Sequence, residues 1–142
     1  MTRAPYYRDD LAWVHHTGYA GHVTSAQRGI VERLRGHGLA RGQRVLDVGC
    51  GSGLLARALL DEGYAASGVD ASPAMIELSR AQAPAGDFQA VALPTRRRPG
   101  ESGALPAADA IVSTGHVLNY LDSREDLALA LAELAAALRP GG

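Results

Sequence analysis

An aspartate and three alternate glycines, Asp47-Val48-Gly49-Cys50-Gly51-Ser52-Gly53, stand where an apolar run beginning at Val45 gives way to a helical pattern. Glycine has no Cβ, so a bound molecule can lie directly against the backbone of such a turn, and the helix that follows offers free N–H groups in its first turn. The spacing separates ligand classes. A dinucleotide fingerprint needs G-x-G-x-x-G, but here the glycines fall at 49, 51 and 53, with Leu54 where the last glycine of that fingerprint belongs. An acid two residues ahead of Gly49 suits an ammonium group better than a pyrophosphate. Both features count against a nicotinamide-dependent oxidoreductase. Cys50 reads as a small packing residue whose backbone faces the ligand.

Further along, Asp70 lies seventeen residues after Gly53 and closes a second apolar run. A carboxylate at a strand end can accept hydrogen bonds from the two vicinal hydroxyls of a ribose. Thr114-Gly115-His116 follows another apolar run, and a histidine there can take a proton from a hydroxyl or amine acceptor. The same residue reads equally well as a helix-start histidine bonded to backbone. The chain begins with an aromatic and histidine-rich segment, Tyr6, Tyr7, Trp13, His15, His16, Tyr19 and His22. His15, His16 and Tyr19 either line an acceptor pocket or simply pack. Adjacent histidines on a helix point to different faces and neither has a carboxylate at i+4, so no metal site is read from them. Arg96-Arg97-Arg98 reads as a solvated loop.

A scaffold must bring these places together. A short helix is expected near Asp9 to His15, and Thr24 with Gln27 reads as a capping box for a second helix, whose apolar stripe, Ile30, Val31 and Leu34, stops at Gly36. Strand 1 is expected over Arg44 to Val48, a helix over Leu54 to Glu62 ended by Gly63, and strand 2 over Ala65 to Val69. Ser72 as N-cap and Pro73 at the first helical position open a helix running to about Gln82. Phe88 to Leu93 is expected as strand 3, Pro94 to Pro106 as a loop, and Ala108 to Ser113 as strand 4. Ser123 caps a final helix with leucines at 127, 131, 134 and 138 on one stripe. Strands alternating with helices imply parallel pairing through right-handed crossovers. Ligands in such sheets lie beyond the carboxyl ends of the strands, which gathers the glycine turn, Asp70, the residues around Leu93 and Thr114 to His116 into one crevice.

With these motifs in place, the chain resembles the class I S-adenosylmethionine-dependent methyltransferases of small-molecule type. The resemblance rests first on Asp47 to Gly53. It extends to Gly68-Val69-Asp70-Ala71-Ser72-Pro73-Ala74-Met75, to Asp109 through Leu121, and to Leu138-Arg139-Pro140-Gly141-Gly142, and the aromatic start is similar to the cap of some members. It implies an α/β fold, a Rossmann-like doubly wound parallel sheet of order 3-2-1-4. A helical cap over residues 1–43 would precede the core over 44–142, in a single domain. The implied cofactor is S-adenosylmethionine, with Asp70 on the adenosine ribose and Asp47 near the methionine amino group. Gly49, Cys50, Gly51, Gly53, Ala71, Met75, Ala92, Leu93, Thr114 and Gly115 would surround it, and His116 would be the catalytic candidate.

Two departures from the family pattern stand out. Where many members place an acid after strand 3 to bond the adenine amino group, Val91-Ala92-Leu93 offers only backbone and apolar contact. The chain also stops where a fifth strand should begin. The expectation is a truncated core whose strand 4 has an unpaired edge open to self-association; a cofactor-binding or assembly module without turnover is the alternative.

Composition bounds the rest. A length of 142 residues is enough for one domain and a real core but short for a complete doubly wound enzyme. The net charge of −1 gives no electrostatic footprint for nucleic acid or a membrane surface. One cysteine excludes an internal disulfide and a cysteine-based metal cluster. No apolar stretch reaches about 18 residues and Met1-Thr2-Arg3 lacks a signal-peptide core, so a cytoplasmic protein is expected; a small-molecule acceptor is what the resemblance implies.

Overall fold

Strand β1, Arg44–Val48, is hydrophobic at consecutive positions because it is covered on both faces, as a central parallel strand must be. It pairs in parallel with β2, Ala65–Asp70, on one side and with β4, Ala110–Ser113, on the other; β3, Asp87–Ala90, lies outside β2. The sheet order is β3-β2-β1-β4, as the family resemblance implied. This computed structural model describes residues 9–142. Tyr6 and Tyr7 lie outside the described residues, as do the side chains of Tyr19 and His22.

Side chains alternate across the sheet. Val45, Ala66 and Phe88 face a layer made by α1 (Asp9–Gly36), α2 (Leu54–Asp61) and α3 (Pro73–Gln82), where Val31, Leu55, Leu59 and Ile76 are buried. Leu46, Val48 and Val69 face the opposite layer with Leu105, Ala137 and Leu134, the last two from α4, Arg124–Ala137. The expected start signals hold for both later helices. Ser72 Oγ accepts from the Met75 N–H with Pro73 opening α3, and Ser123 Oγ accepts from the Asp126 N–H at the head of α4.

Four expectations change. The two N-terminal helices are one, α1, and Thr24 does not cap: its hydroxyl donates to Ala20 O one turn back, a bond that exists only where the helix already runs. Strand β3 ends at Ala90, so Ala92 and Leu93 lie beyond the ladder, and the Leu93–Pro94 peptide is cis. Strand β4 starts at Ala110, not Ala108. The leucine stripe of α4 is not a buried seam, since Leu131 is 50% exposed while Ala130 and Ala137 are the buried residues. Small side chains let α4 lie close against the sheet, which rotates the larger ones toward its flanks.

The chain after α4 turns back onto the start of β4. Ala108 N–H donates to Ala137 O at 2.9 Å, and Arg139 N–H donates to Ala108 O at 2.9 Å. Arg139 also meets Asp109, whose Oδ2 accepts from Arg44 N–H at 2.7 Å and so ties the bottoms of β1 and β4 together. Beyond Ala108 the outer edge of β4 has no strand beside it among the described residues.

Candidate active site

Asp47 and Asp70 stand side by side at the carboxyl ends of β1 and β2, and their environments differ sharply. Asp70 is held. Its Oδ2 accepts from Gly51 N–H at 3.0 Å and its Oδ1 from Ser72 N–H at 2.9 Å. Burial raises its carboxyl above the usual range, against the pull of those two N–H groups and of nearby His15. Each oxygen keeps a further lone pair for a ligand hydroxyl. Asp47 is 2% exposed, and its Oδ1 has no hydrogen-bond partner among the described residues. Burial, aided by the Asp70 charge, pushes its carboxyl up to about 7. A buried acid with an unsatisfied oxygen is costly unless something cationic or hydrogen-donating completes it.

The glycine turn joins the two. Gly49 and Cys50 both donate their N–H to Val69 O, at 2.8 and 3.0 Å, which draws the turn over the end of β2. Gly51, at φ 53°, would project a side chain into open space, with nothing within 4 Å. That opening faces the cavity, and Gly51 is among the residues lining it. Gly53 is glycine for another reason: at φ 84° its position lies 2.8 Å from the Ser79 backbone, so α3 can approach only where no Cβ exists. The Cys50 thiol is buried and pushed up by burial and by Asp47 and Asp70, which keeps it protonated and unreactive.

The opening is a cavity of about 800 Å³, within the range of small-molecule clefts, roughly 300–1,000 Å³. Asp47, Asp70 and the glycine turn form its floor. Ala71, Met75, Val91, Ala92 and Leu93 give it an apolar side wall, and Thr114, Gly115 and His116 close the β4 end. His116 has a left-handed backbone, φ 63°, and heads the 3₁₀ turn Val117–Tyr120. That conformation is uncommon outside glycine, although histidine tolerates it better than most residues, and such conformations gather at functional sites. From above, α1 contributes His15 and His16. His15 is held below its ordinary pKa by burial, and the Asp70 charge opposes that shift. His16 Nδ1 lies 2.6 Å from Ser52 Oγ.

Of the cofactor and catalytic candidates read from the sequence, all but Gly53 line this one cavity, and Gly53 acts beside it as a packing glycine; His15 and His16 line it too, whereas the Tyr19 side chain lies outside the described residues. Several contributors went unmarked, four of them polar. Ser52 bonds to α1, Ser72 fixes Asp70 as well as capping α3, and Tyr120 and Asp122 extend the β4 wall. Ser52 sat inside the motif and Ser72 in a recognised cap, so a second role was there to be asked of both. Tyr120 lay within the Asp109 to Leu121 segment of the resemblance without being singled out, and Asp122 had no signal, because the place of both follows from the 3₁₀ turn.

Comparison with known proteins agrees with this geometry. Residues 45–142 match the family model described as a methyltransferase domain. The chain is 34% identical over 126 residues to a malonyl-[acyl-carrier protein] O-methyltransferase of Serratia marcescens, covering 84% of this chain and 44% of that protein. It is 31% identical over 105 residues to a ubiquinone biosynthesis O-methyltransferase of Idiomarina loihiensis, covering 71% and 40%. It thus spans less than half the length of either relative. Among solved structures, DesVI of Streptomyces venezuelae superposes with a TM-score of 0.77 at 26% identity, over 96% of this chain and 56% of that one. The orphaned acid, the pinned acid and the open glycine turn thus sit in a chain that belongs to the methyltransferase-domain family, with the class I S-adenosylmethionine-dependent fold.

Proposed function

We propose that the chain carries the cofactor site and one acceptor wall of an S-adenosylmethionine-dependent methyltransferase acting on a small-molecule acceptor. The observation that carries this reading is the pairing of Asp70, pinned by two backbone N–H groups, with Asp47, whose Oδ1 awaits a partner above the open Gly51 turn. S-adenosylmethionine would supply an electrophilic methyl group on a sulfonium. Asp70 would accept from the ribose hydroxyls and Asp47 would face the amino group of the methionine portion. Met75, Val91, Ala92 and Leu93 would exclude water around the adenine, which receives no acidic side chain from this wall. Positioning supplies most of the rate in such a displacement. An imidazole nitrogen of His116 would take the proton that a hydroxyl or amine acceptor loses. Calorimetric titration with S-adenosylhomocysteine tests the reading: binding in the parent and weakened binding in Asp70→Ala are expected, and no binding by the parent overturns it.

Among the described residues no helix is long and apolar enough to cross a membrane. We place the protein in the cytoplasm, a reading supported by the single, buried, unpaired cysteine. Self-association belongs to the same proposal. Asp109 N–H bonds toward β1 and Ala108 toward the chain after α4, so by the alternation of a parallel strand Ala110 and Val112 direct their backbone groups outward. Such an edge pairs readily with another chain. Light scattering across a concentration series should show association that Ala110→Pro, which removes an outward N–H, reduces; a monomer throughout would sink it.

A further inference from the structure

His16 is joined to the glycine turn across thirty-six residues of sequence, through the partly buried 2.6 Å contact between its Nδ1 and Ser52 Oγ. Ser52 is itself 5% exposed and sits between Gly51, which opens onto the cavity, and Gly53, which packs on α3. Further along α1, Gln27 Nε2 donates to Leu54 O at 3.0 Å, and Val31 is buried in the core with Ile30 and Leu34 packed beside it. The helix is therefore anchored in its second half. Its first turns are held differently. Leu11, Trp13 and Val14 are exposed, Ala12 is the only buried one among the described side chains there, and the Trp13 ring leans on His16 at 5.9 Å between centroids.

Between the two halves lie Gly18 and Gly21. Neither has anything within 4 Å of where a Cβ would stand, so crowding does not require glycine at either position. Glycine in a helix interior weakens it relative to alanine. Two glycines about one turn apart without a packing reason lower the intrinsic stability of α1 there, immediately after the histidine pair.

We propose that residues 9–17 form a lid over the cofactor end of the cavity, bending at Gly18 and Gly21, and that His16 is a positioning residue which couples lid closure to the glycine turn through Ser52. The inference rests on the cofactor reading above. A turn with glycine on both sides of Ser52 has many backbone states available. Fixing Ser52 Oγ selects the one in which Gly51 N–H points at Asp70, so part of the ordering cost of binding is met before the ligand arrives. Closure also sets His15, on the neighbouring helix face, within reach of the Asp70 charge. Binding should in turn hold the lid down, because the coupling is reciprocal.

The test uses S-adenosylhomocysteine calorimetry with amide exchange over residues 11–17, on His16→Asn, His16→Gln, Ser52→Ala and the double variant His16→Gln/Ser52→Ala. An asparagine amide reaches the Nδ1 position and a glutamine amide reaches toward Nε2 instead. His16→Asn should bind like the parent, while His16→Gln and Ser52→Ala each lose roughly 3- to 10-fold, the worth of one hydrogen bond, and the double variant loses no more than either. The ligand should slow exchange over 11–17 in the parent and in His16→Asn but not in Ser52→Ala. Parent-like affinity in His16→Gln, losses that multiply in the double variant, or ligand-induced protection that persists in Ser52→Ala overturns the latch. Asp70→Ala separates the two readings: if it loses affinity while the latch variants do not, the latch alone fails, and if it binds like the parent the cofactor reading fails.

Discussion

On the β1 and β2 side of the cavity the strands are buried almost throughout, Asp70 is held by two backbone donors, and the glycine turn is bound to Val69 O. On the β4 side no strand residue is fully buried, and the wall is a left-handed histidine followed by a short 3₁₀ turn whose residues are all partly or largely exposed. Under the proposed function, the difference matches the two ligands a methyl transfer needs. One face must grip the same cofactor in every turnover, and a preorganised set of backbone N–H groups between buried parallel strands does this with little reorganisation. The other must fit a particular acceptor, which a turn with few packing constraints can vary without disturbing the sheet.

If the two sides do separate tasks, mutations should divide kinetics the same way. The largest effect is expected on the β4 side: His116→Ala should lower turnover roughly 10²- to 10⁴-fold with cofactor affinity nearly intact. That is measurable once an acceptor is in hand, and a loss below tenfold would return His116 to a purely structural part. On the other side Gly51→Val should reduce S-adenosylhomocysteine affinity by ~10³-fold, since a β-branched residue is strained at positive φ and would fill the space the ligand needs. Unchanged titration heats would remove the turn from the site. Asp70→Ala should cost about 1.5 to 3 kcal/mol of cofactor binding through lost charge-assisted hydrogen bonds. A change in turnover alone, at unaltered affinity, would move Asp70 from the cofactor side of the division to the acceptor side.

A separate effect concerns Asp47 and appears in stability, not in binding or turnover. Its folded carboxyl titrates at about 7 against 3.8 unfolded, so the folded state retains a proton the unfolded chain has released. The stability this gives is complete below pH 4 and is lost as pH rises through 7, with a slope of at most about 1.4 kcal/mol per pH unit. Asp70, also raised, acts in the same direction; Asp109, lowered, acts only below its ordinary range. Urea unfolding of the ligand-free protein from pH 4 to 8 should show this decline, and Asp47→Asn should flatten it. A parent curve flat over that interval would mean that Asp47 is already neutralised by a partner.

The same division separates what the sequence displays from what it conceals. The strand and helix rhythm, the β1 turn and the acids near the ends of β1 and β2 rest on local signals, an apolar run, glycine spacing and a capped helix, each read within a dozen residues, whereas the sheet order came from the family resemblance. The N-terminal region misled for an equally local reason. Thr24 and Gln27 have the residue types of a cap, but a hydroxyl can bond one turn back as readily as forward, and the packing of Val31 and its neighbours on the core carries one helix through the site. The α4 leucines failed because a stripe on a helical wheel does not say which neighbour lies close, and Ala130 and Ala137 were the residues that fitted.

The sequence by itself determined where the proposed cofactor site lies, because a glycine turn between an apolar run and a helix, and a carboxylate at a strand end, are patterns of residue types close together in the chain. Tertiary structure alone decided that Asp47 is short of a partner while Asp70 has two, that Gly51 opens onto the cavity while Gly53 serves packing, and that His16 meets Ser52. Each of these depends on elements far apart in the chain arriving within a few ångströms of one another. Burial, close approach and a side-chain hydrogen bond between helices are properties of that arrival, and no local pattern of residue types encodes them.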